Sequence, residues 1–307
     1  MIHYSDPTPI VYGILCPDDS IHHIRLTKSF ISESSPWDEA KIPDSQYFKN
    51  VTIQLELRSD NGSVIERVHF VEVVGNEKED GVFFTEPNIL YQTRGITLMP
   101  TYVHPKIHYY LTIYIPAIDQ SVIAETLIPP RPGIRTNIRA NDQINLFGLV
   151  PTYVIYGANA NFSKNISIII NYLDKIDRQW LDKTIAYTIQ RGATYGQPSV
   201  SDSLHLSASW FYPFMKNRIP DDPRVTHRQF KSITIRSQLI DQAYYEYFAS
   251  LHYRSDLFEN MLSNIEGGIG LFAAYSKTEK TGITLSQQSM DSLALGSITK
   301  HLKFSRW

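Results

Sequence analysis

Cysteine is almost absent: Cys16 is the only one in 307 residues. No disulfide can close within the chain, and neither a CxxC zinc site nor a redox pair can be built. The residues leading to it, Ile10 to Leu15, are largely apolar and carry no activating base, so Cys16 reads as a small buried hydrophobe rather than a reactive thiol. No stretch approaches the roughly eighteen apolar residues of a membrane-spanning helix. Charge of one sign is also missing. With 29 basic against 31 acidic side chains and a net charge of -2, no global field draws the protein to nucleic acid or to an anionic membrane surface. No signal peptide precedes Ile2, and the polar lead His3 to Pro7 is what a chain shows once a targeting segment has been removed. The nucleophile elbow G-x-S-x-G and the zinc-protease motif H-E-x-x-H are lacking too. A glycosidase-like carboxylate pair is the one hydrolytic arrangement such a sequence could still conceal.

Tyrosine, by contrast, is abundant: 19 residues, beside 14 Phe and 4 Trp. Aromatic and β-branched side chains suit half-buried, pleated surfaces, which predicts a mainly β protein. Val51 to Leu57 alternates apolar and polar residues, Ser59-Asp60-Asn61-Gly62 supplies a hairpin turn, and Val64 to Val74 returns. Further strands are expected at Tyr12 to Leu15, His22 to Phe30, Val82 to Phe84 and His108 to Ile115. This spacing predicts an N-terminal Ig-like or transthyretin-like β-sandwich over residues 1–132. Three prolines between Ile128 and Gly133 resist both helix and central strand and mark the boundary.

Residues 133–307 are expected to form a second β-rich domain carrying two short helices. Its strands are read at Thr152 to Gly157, Ile166 to Leu173, Leu204 to Ser209, Ile233 to Arg236 and Gly267 to Tyr275. One helix covers Trp210 to Asn217. The other runs from about Ser237 to His252, where Ile240, Ala243, Tyr244, Tyr247, Phe248 and Leu251 recur on one face. Such a stripe is core packing.

Residues that could carry chemistry are few. His22 and His23 are neighbours on a strand and point to opposite faces, so they cannot share a metal ion, and at most one is functional. His104 and His108 have helical spacing, but Pro105 lies between them and a strand follows, which opposes zinc. Asp18-Asp19 and Asp221-Asp222 sit beside prolines and read as turn residues, without the further oxygen ligands calcium needs. Gly268-Ile269-Gly270-Leu271-Phe272-Ala273 matches G-x-G-x-x-A in letters, yet it follows a helical segment and leaves too little chain for a dinucleotide fold. The better reading is a buried late strand whose glycines lie at a bulge or where another backbone approaches closely. No catalytic, metal or cofactor-binding residue is assigned, no cofactor is expected, and the binding residues stay unnamed.

Several phrases together resemble the family called domain of unknown function 4249: Pro9 to Leu15 with Pro17-Asp18-Asp19-Ser20, Ala40 to Ser45 leading to Val51, Gly81-Val82-Phe83-Phe84 and Glu125-Thr126. Later come Phe211-Tyr212 with Ile219-Pro220-Asp221-Asp222-Pro223, Tyr244-Tyr245-Glu246-Tyr247 and Asn264 to Phe272. The resemblance covers nearly the whole chain. It implies a lipoprotein of the gram-negative outer membrane, anchored through a lipidated cysteine just upstream of residue 1, with two β-rich domains outside the cytoplasm. It also implies an accessory or ligand-capture role beside a TonB-dependent receptor barrel. With balanced charge and no catalytic motif, the protein is expected to be non-enzymatic, with no nucleic-acid partner and an unnamed ligand. The alternative is a secreted carbohydrate- or peptide-active hydrolase with a carboxylate pair. Asp19-Ser20-Ile21, Asp202-Ser203-Leu204 and Asp291-Ser292-Leu293 resemble O-glycan acceptor sites of such bacteria. The sequons at Asn50, Asn61, Asn161 and Asn165 carry little weight in that setting.

Overall fold

Apolar residues at every second position place Val11, Gly13 and Leu15 of strand β1 (Pro9–Leu15) and His22, Ile24 and Leu26 of β2 (Ile21–Lys28) on one buried face. The same alternation shapes β3 (Thr52–Ser59), β4 (Val64–Val74), β5 (Ile89–Arg94), β6 (Ile107–Ile115) and β7 (Gln120–Leu127). The structure, a computed structural model, describes residues 7–29, 42–75, 87–94, 96, 98–99, 107–138, 143–149, 152–157, 161–193, 201–252 and 263–306. The expected strand at Val82 to Phe84, as well as Phe30 and His104, lies outside them. The chain forms two units, Met1–Pro130 with Ile240–Ser276, and Arg131–Leu239 with Lys277–Trp307. The first crossing falls among the prolines. The later two fall within continuous strands, where no change of composition marks them.

In the first unit the strands run β16-β1-β2-β5-β4-β3-β6-β7-β15, where β15 is Ile265–Glu266 and β16 is Ile269–Leu285. This path folds into a sandwich because β4 changes partner along its length. Up to Phe70 it pairs with β3, and from Val71 it pairs with β5. Val11, Leu15, Ile24 and Leu26 from one layer meet Leu55, Leu57, Leu111, Ile113 and Val122 from the other in a single core. Each fully buried Leu or Ile contributes about 2 kcal/mol to stability. The β3–β4 hairpin turns as expected, with Gly62 at φ 83° and its N–H donating to the Ser59 carbonyl at 2.8 Å.

The opposite corner of the sandwich is the glycine-rich segment. Ile265 lies opposite Ala124 of β7, whereas Ile269 lies opposite Ile10 of β1, so the chain changes layers within four residues. Such a step needs glycine. Gly267 has φ 76° and Gly270 φ 123°, and a Cβ on Gly270 would sit 2.0 Å from the Val11 carbonyl oxygen. The segment is therefore a strand with close backbone approach, as its sequence suggested, and not a phosphate cradle.

Helix α1 is a single turn (Pro43–Gln46) and α2 spans Ala208–Arg218, close to the expected Trp210 to Asn217. Helix α3 (Gln242–His252) begins later than the apolar stripe suggested. Ser237 to Ile240 instead extend β14 (His227–Ile240), and Asp241 starts the helix by accepting the Tyr244 N–H at 2.7 Å. Ala243, Tyr244, Tyr247 and Phe248 then pack on Tyr12, Leu271 and Ala273.

In the second unit the order is β12-β11-β14-β16, with β9 (Gln143–Ile144) also paired to β16. β11 (Ser163–Ile176) and β12 (Gln179–Arg191) form a long hairpin whose two turn residues, Asp177 and Arg178, have φ 47° and 69°. A second sheet follows the order β13 (Asp202–Leu206), β10 (Thr152–Tyr156), β8 (Ile134–Thr136). The strand expected to reach Ser209 ends at Leu206, because α2 starts two residues later. A further helix, α4 (Gln287–Leu295), was not anticipated; Ser286 caps it through the Ser289 N–H. Ile166, Ile168, Ile170, Phe211, Met215, Ile233 and Leu293 share the core.

Candidate ligand-binding trough

The outer faces of β2, β5 and β4 meet at a trough of about 570 Å³ lined by His23, Val73, Val74, Gly75, Asn88, Leu90, Gln92 and Arg94. Register builds it. His23 lies opposite Gln92, Gln92 opposite Val71, and Leu90 opposite Val73. Because Tyr91 and Thr93 point into the core, their neighbours Leu90, Gln92 and Arg94 point out. Gly75 keeps the end open: a Cβ there would meet Leu90 Cδ1 at 2.7 Å.

With its amide oriented to suit its neighbours, Gln92 accepts from the Arg94 guanidinium at 2.9 and 3.1 Å, and Arg25 Nη2 donates to Asn88 Oδ1 at 2.9 Å. Among the described residues, no carboxylate lines the trough. A guanidinium and an imidazole beside Val73 and Leu90 suit a small acid with an apolar portion, since the fork-shaped donor pairs with a carboxylate while the aliphatic wall covers carbon. Val71 and Val74, 61% and 71% exposed, extend the apolar wall.

On the other face of β2, His22 is 2% exposed, and among the described residues neither ring nitrogen has a hydrogen-bond partner. Burial pushes the imidazole below its ordinary pKa. The two adjacent histidines thus divide as strand geometry requires. Cys16 is buried against the Tyr275 hydroxyl, and burial pushes the thiol up. No group of three or more His, Cys, Asp or Glu among the described residues could hold a metal ion.

The remaining candidates are structural. His108 Nδ1 bonds Glu125 and its Nε2 lies 3.2 Å from Asp60. This pair of contacts belongs to an outer-face network in which Arg67–Glu56–Tyr110–Glu125 stand opposite one another across four strands. Arg58 bonds Glu56 and lies 4.4 Å from the Tyr110 ring. Asp19 belongs to a turn in which its N–H donates to the Cys16 carbonyl at 3.1 Å. Asp222 accepts the Arg224 N–H at 2.9 Å and pairs with its side chain, which holds the carboxyl down at about 2. Of the three Asp-Ser positions, Ser20 and Ser203 are exposed and Ser292 is half-buried in α4. Asn165 is buried within β11.

Sequence reasoning missed Arg94 and Gln92 because β5 was not read as a strand. The signal was present as the alternation Ile89-Leu90-Tyr91-Gln92-Thr93-Arg94, too short to stand out without its partners.

The family described as Domain of unknown function (DUF4249) matches residues 2–281. The chain belongs to that family. No curated protein matches this DUF4249 chain. Solved structures similar to it include the Escherichia coli alpha-2-macroglobulin activated by porcine elastase, with 11% identity and a TM-score of 0.22. That match covers 92% of this chain and 20% of the other, so the DUF4249 chain spans about a fifth of that protein's length.

Proposed function

We propose that this DUF4249 protein is a non-enzymatic lipoprotein of the gram-negative outer membrane, exposed outside the cytoplasm, that captures a small ligand as an accessory to a receptor-barrel assembly. The observation that carries the ligand-capture reading is the trough on the first unit, where Arg94 and His23 converge beside Val73 and Leu90. Few polar groups set in an apolar concavity are the general form of a small-molecule site. The family resemblance supports the outer-membrane placement and the lipid anchor. The rival reading is a secreted carbohydrate- or peptide-active hydrolase with an unassigned carboxylate pair.

The test is a detergent-solubilised pull-down of the full-length lipidated protein from its native membrane, followed by mass spectrometry. A stoichiometric outer-membrane barrel is the expected partner. Recovery of the lipidated protein without one would remove the accessory role and leave stand-alone capture. Recovery without lipid would remove the anchor.

A further inference from the structure

The second unit carries a long strand edge. β12 is last in its sheet, and among the described residues its thirteen residues pair only with β11. Every second N–H and C=O between Gln179 and Arg191 therefore points away from the sheet. Proteins usually blunt such edges by shortness, proline, bulges or charged side chains, and of these β12 has only the charges of Asp182, Lys183 and Arg191. β12 contains no proline and keeps unbroken register with β11 from Gln179 to Arg191. Thr184, Ile185, Tyr187, Thr188 and Ile189 are residue types that favour extended chain.

Aromatic rings flank one face of this edge. α2 turns Phe211 and Met215 into the core, so Trp210 and Phe214, also four residues apart, fall on the neighbouring stripe toward β12. Their rings stack at 5.1 Å, and Tyr187 of β12 meets them edge-on at 5.2 and 5.8 Å. All three are only partly buried, whereas Ala186 and Thr188 on the other face are exposed.

We infer that the β12 edge is a docking site for an extended segment of another polypeptide, with apolar side chains at alternate positions. Water satisfies these peptide groups in the free protein, since most of β12 is exposed; an added strand is the ligand whose own peptide groups match the row in spacing, and its side chains alternate between the aromatic ledge and water. A second copy of this chain fits less well. Two-fold pairing of β12 with itself would bring another α2 onto the same face. That face already carries Trp210 and Phe214 against Tyr187, so a second α2 would have to share it. The site lies wholly within the second unit and does not depend on the trough.

The full chain is titrated with a lysine-flanked octapeptide alternating valine and threonine, and hydrogen exchange is followed by mass spectrometry. Slowed exchange confined to residues 179–191 is expected, with a Kd below about 1 mM. A peptide with proline in place of its central valine should not bind. Phe214→Ala should weaken binding about five- to ten-fold. If its lowered melting temperature reveals a folding defect, Phe214→Leu removes the ring while keeping the volume, and it decides the point. No protection at 179–191, protection elsewhere, or indifference to both the proline and the Phe214 changes would overturn the inference. So would concentration-dependent self-association that protects 179–191 without peptide, which would assign the edge to a second copy.

Discussion

The side-chain amide of Asn264 holds both polar groups of the Phe272 backbone: its Oδ1 accepts the Phe272 N–H at 3.0 Å, and its Nδ2 donates to the Phe272 carbonyl at 2.6 Å. Asn264 thus acts as a one-residue strand partner across the glycine corner that joins the two layers of the first unit. Asn264→Ala should cost about 1–3 kcal/mol through the orphaned peptide groups. Gly270→Ala should cost more, since its Cβ would lie 2.0 Å from the Val11 oxygen and φ is 123°. Urea unfolding of both variants checks the order. A Gly270→Ala protein as stable as the wild type would refute the close-approach account.

Asp241 gives the first unit an acid-side stability term. Its carboxylate accepts from Thr126 of β7, the Tyr244 N–H of α3 and the Ala274 N–H of β16, yet burial outweighs these bonds and pushes the carboxyl up to about 6. Because the folded value exceeds the unfolded one of about 3.9, the native state holds the proton more tightly. This contribution is fully present below the unfolded value and is lost as pH rises through about 6. It amounts to at most about 3 kcal/mol. Asp241→Asn should flatten the pH dependence between about 4 and 6, read from urea midpoints. An unchanged slope would contradict the assignment.

His22 acts in the opposite direction. Its folded pKa is lowered, mainly by burial with a smaller contribution from His23, and Asp19 opposes both. The stability that depends on its neutral form is present above the unfolded value of about 6.5 and is lost as pH falls through the folded one. His22→Leu removes that acid-side loss, and because neither ring nitrogen has a partner among the described residues, it should leave neutral-pH stability equal or higher. Melting temperatures at pH 7.5 and 5.5 test this; a variant that loses stability at both would show an unrecognised role for the ring.

Arg228 anchors the C-terminal segment of the second unit. It is 1% exposed. Its Nε pairs with buried Asp174 at 2.7 Å, Nη1 donates to the Leu302 carbonyl at 2.9 Å and Nη2 to the Pro220 carbonyl at 3.0 Å. Arg228→Met strands the Asp174 charge and should cost about 3–5 kcal/mol. It should also speed hydrogen exchange over residues 300–306. Arg228→Met combined with Asp174→Leu should recover much of the stability. Equal losses in the single and double variants would show that the carbonyl contacts, not the ion pair, dominate.

Local chemistry alone determined the mainly β class, the Ser59–Gly62 hairpin, the helix over α2 and the opposite fates of His22 and His23. Each rests on a period of two or on the conformational needs of a few adjacent residues, which a sequence states directly. The same holds for reading the glycines before Phe272 as close backbone approach. Which backbones approach was decided by tertiary structure, because Val11 and Ser121 are distant in sequence and only the sandwich brings them to the corner. Ser237 to Ile240 fit a helical stripe as letters but remain strand, since β14 continues until Asp241 can cap α3. The β11–β12 hairpin lacks a glycine at its turn and was unread. Asp177 and Arg178 adopt positive φ there because thirteen paired residues on each side outweigh a cost local to two. The trough is the furthest from sequence: His23, Val73 and Arg94 become neighbours only through the register of three strands, and register is a property of the whole sheet.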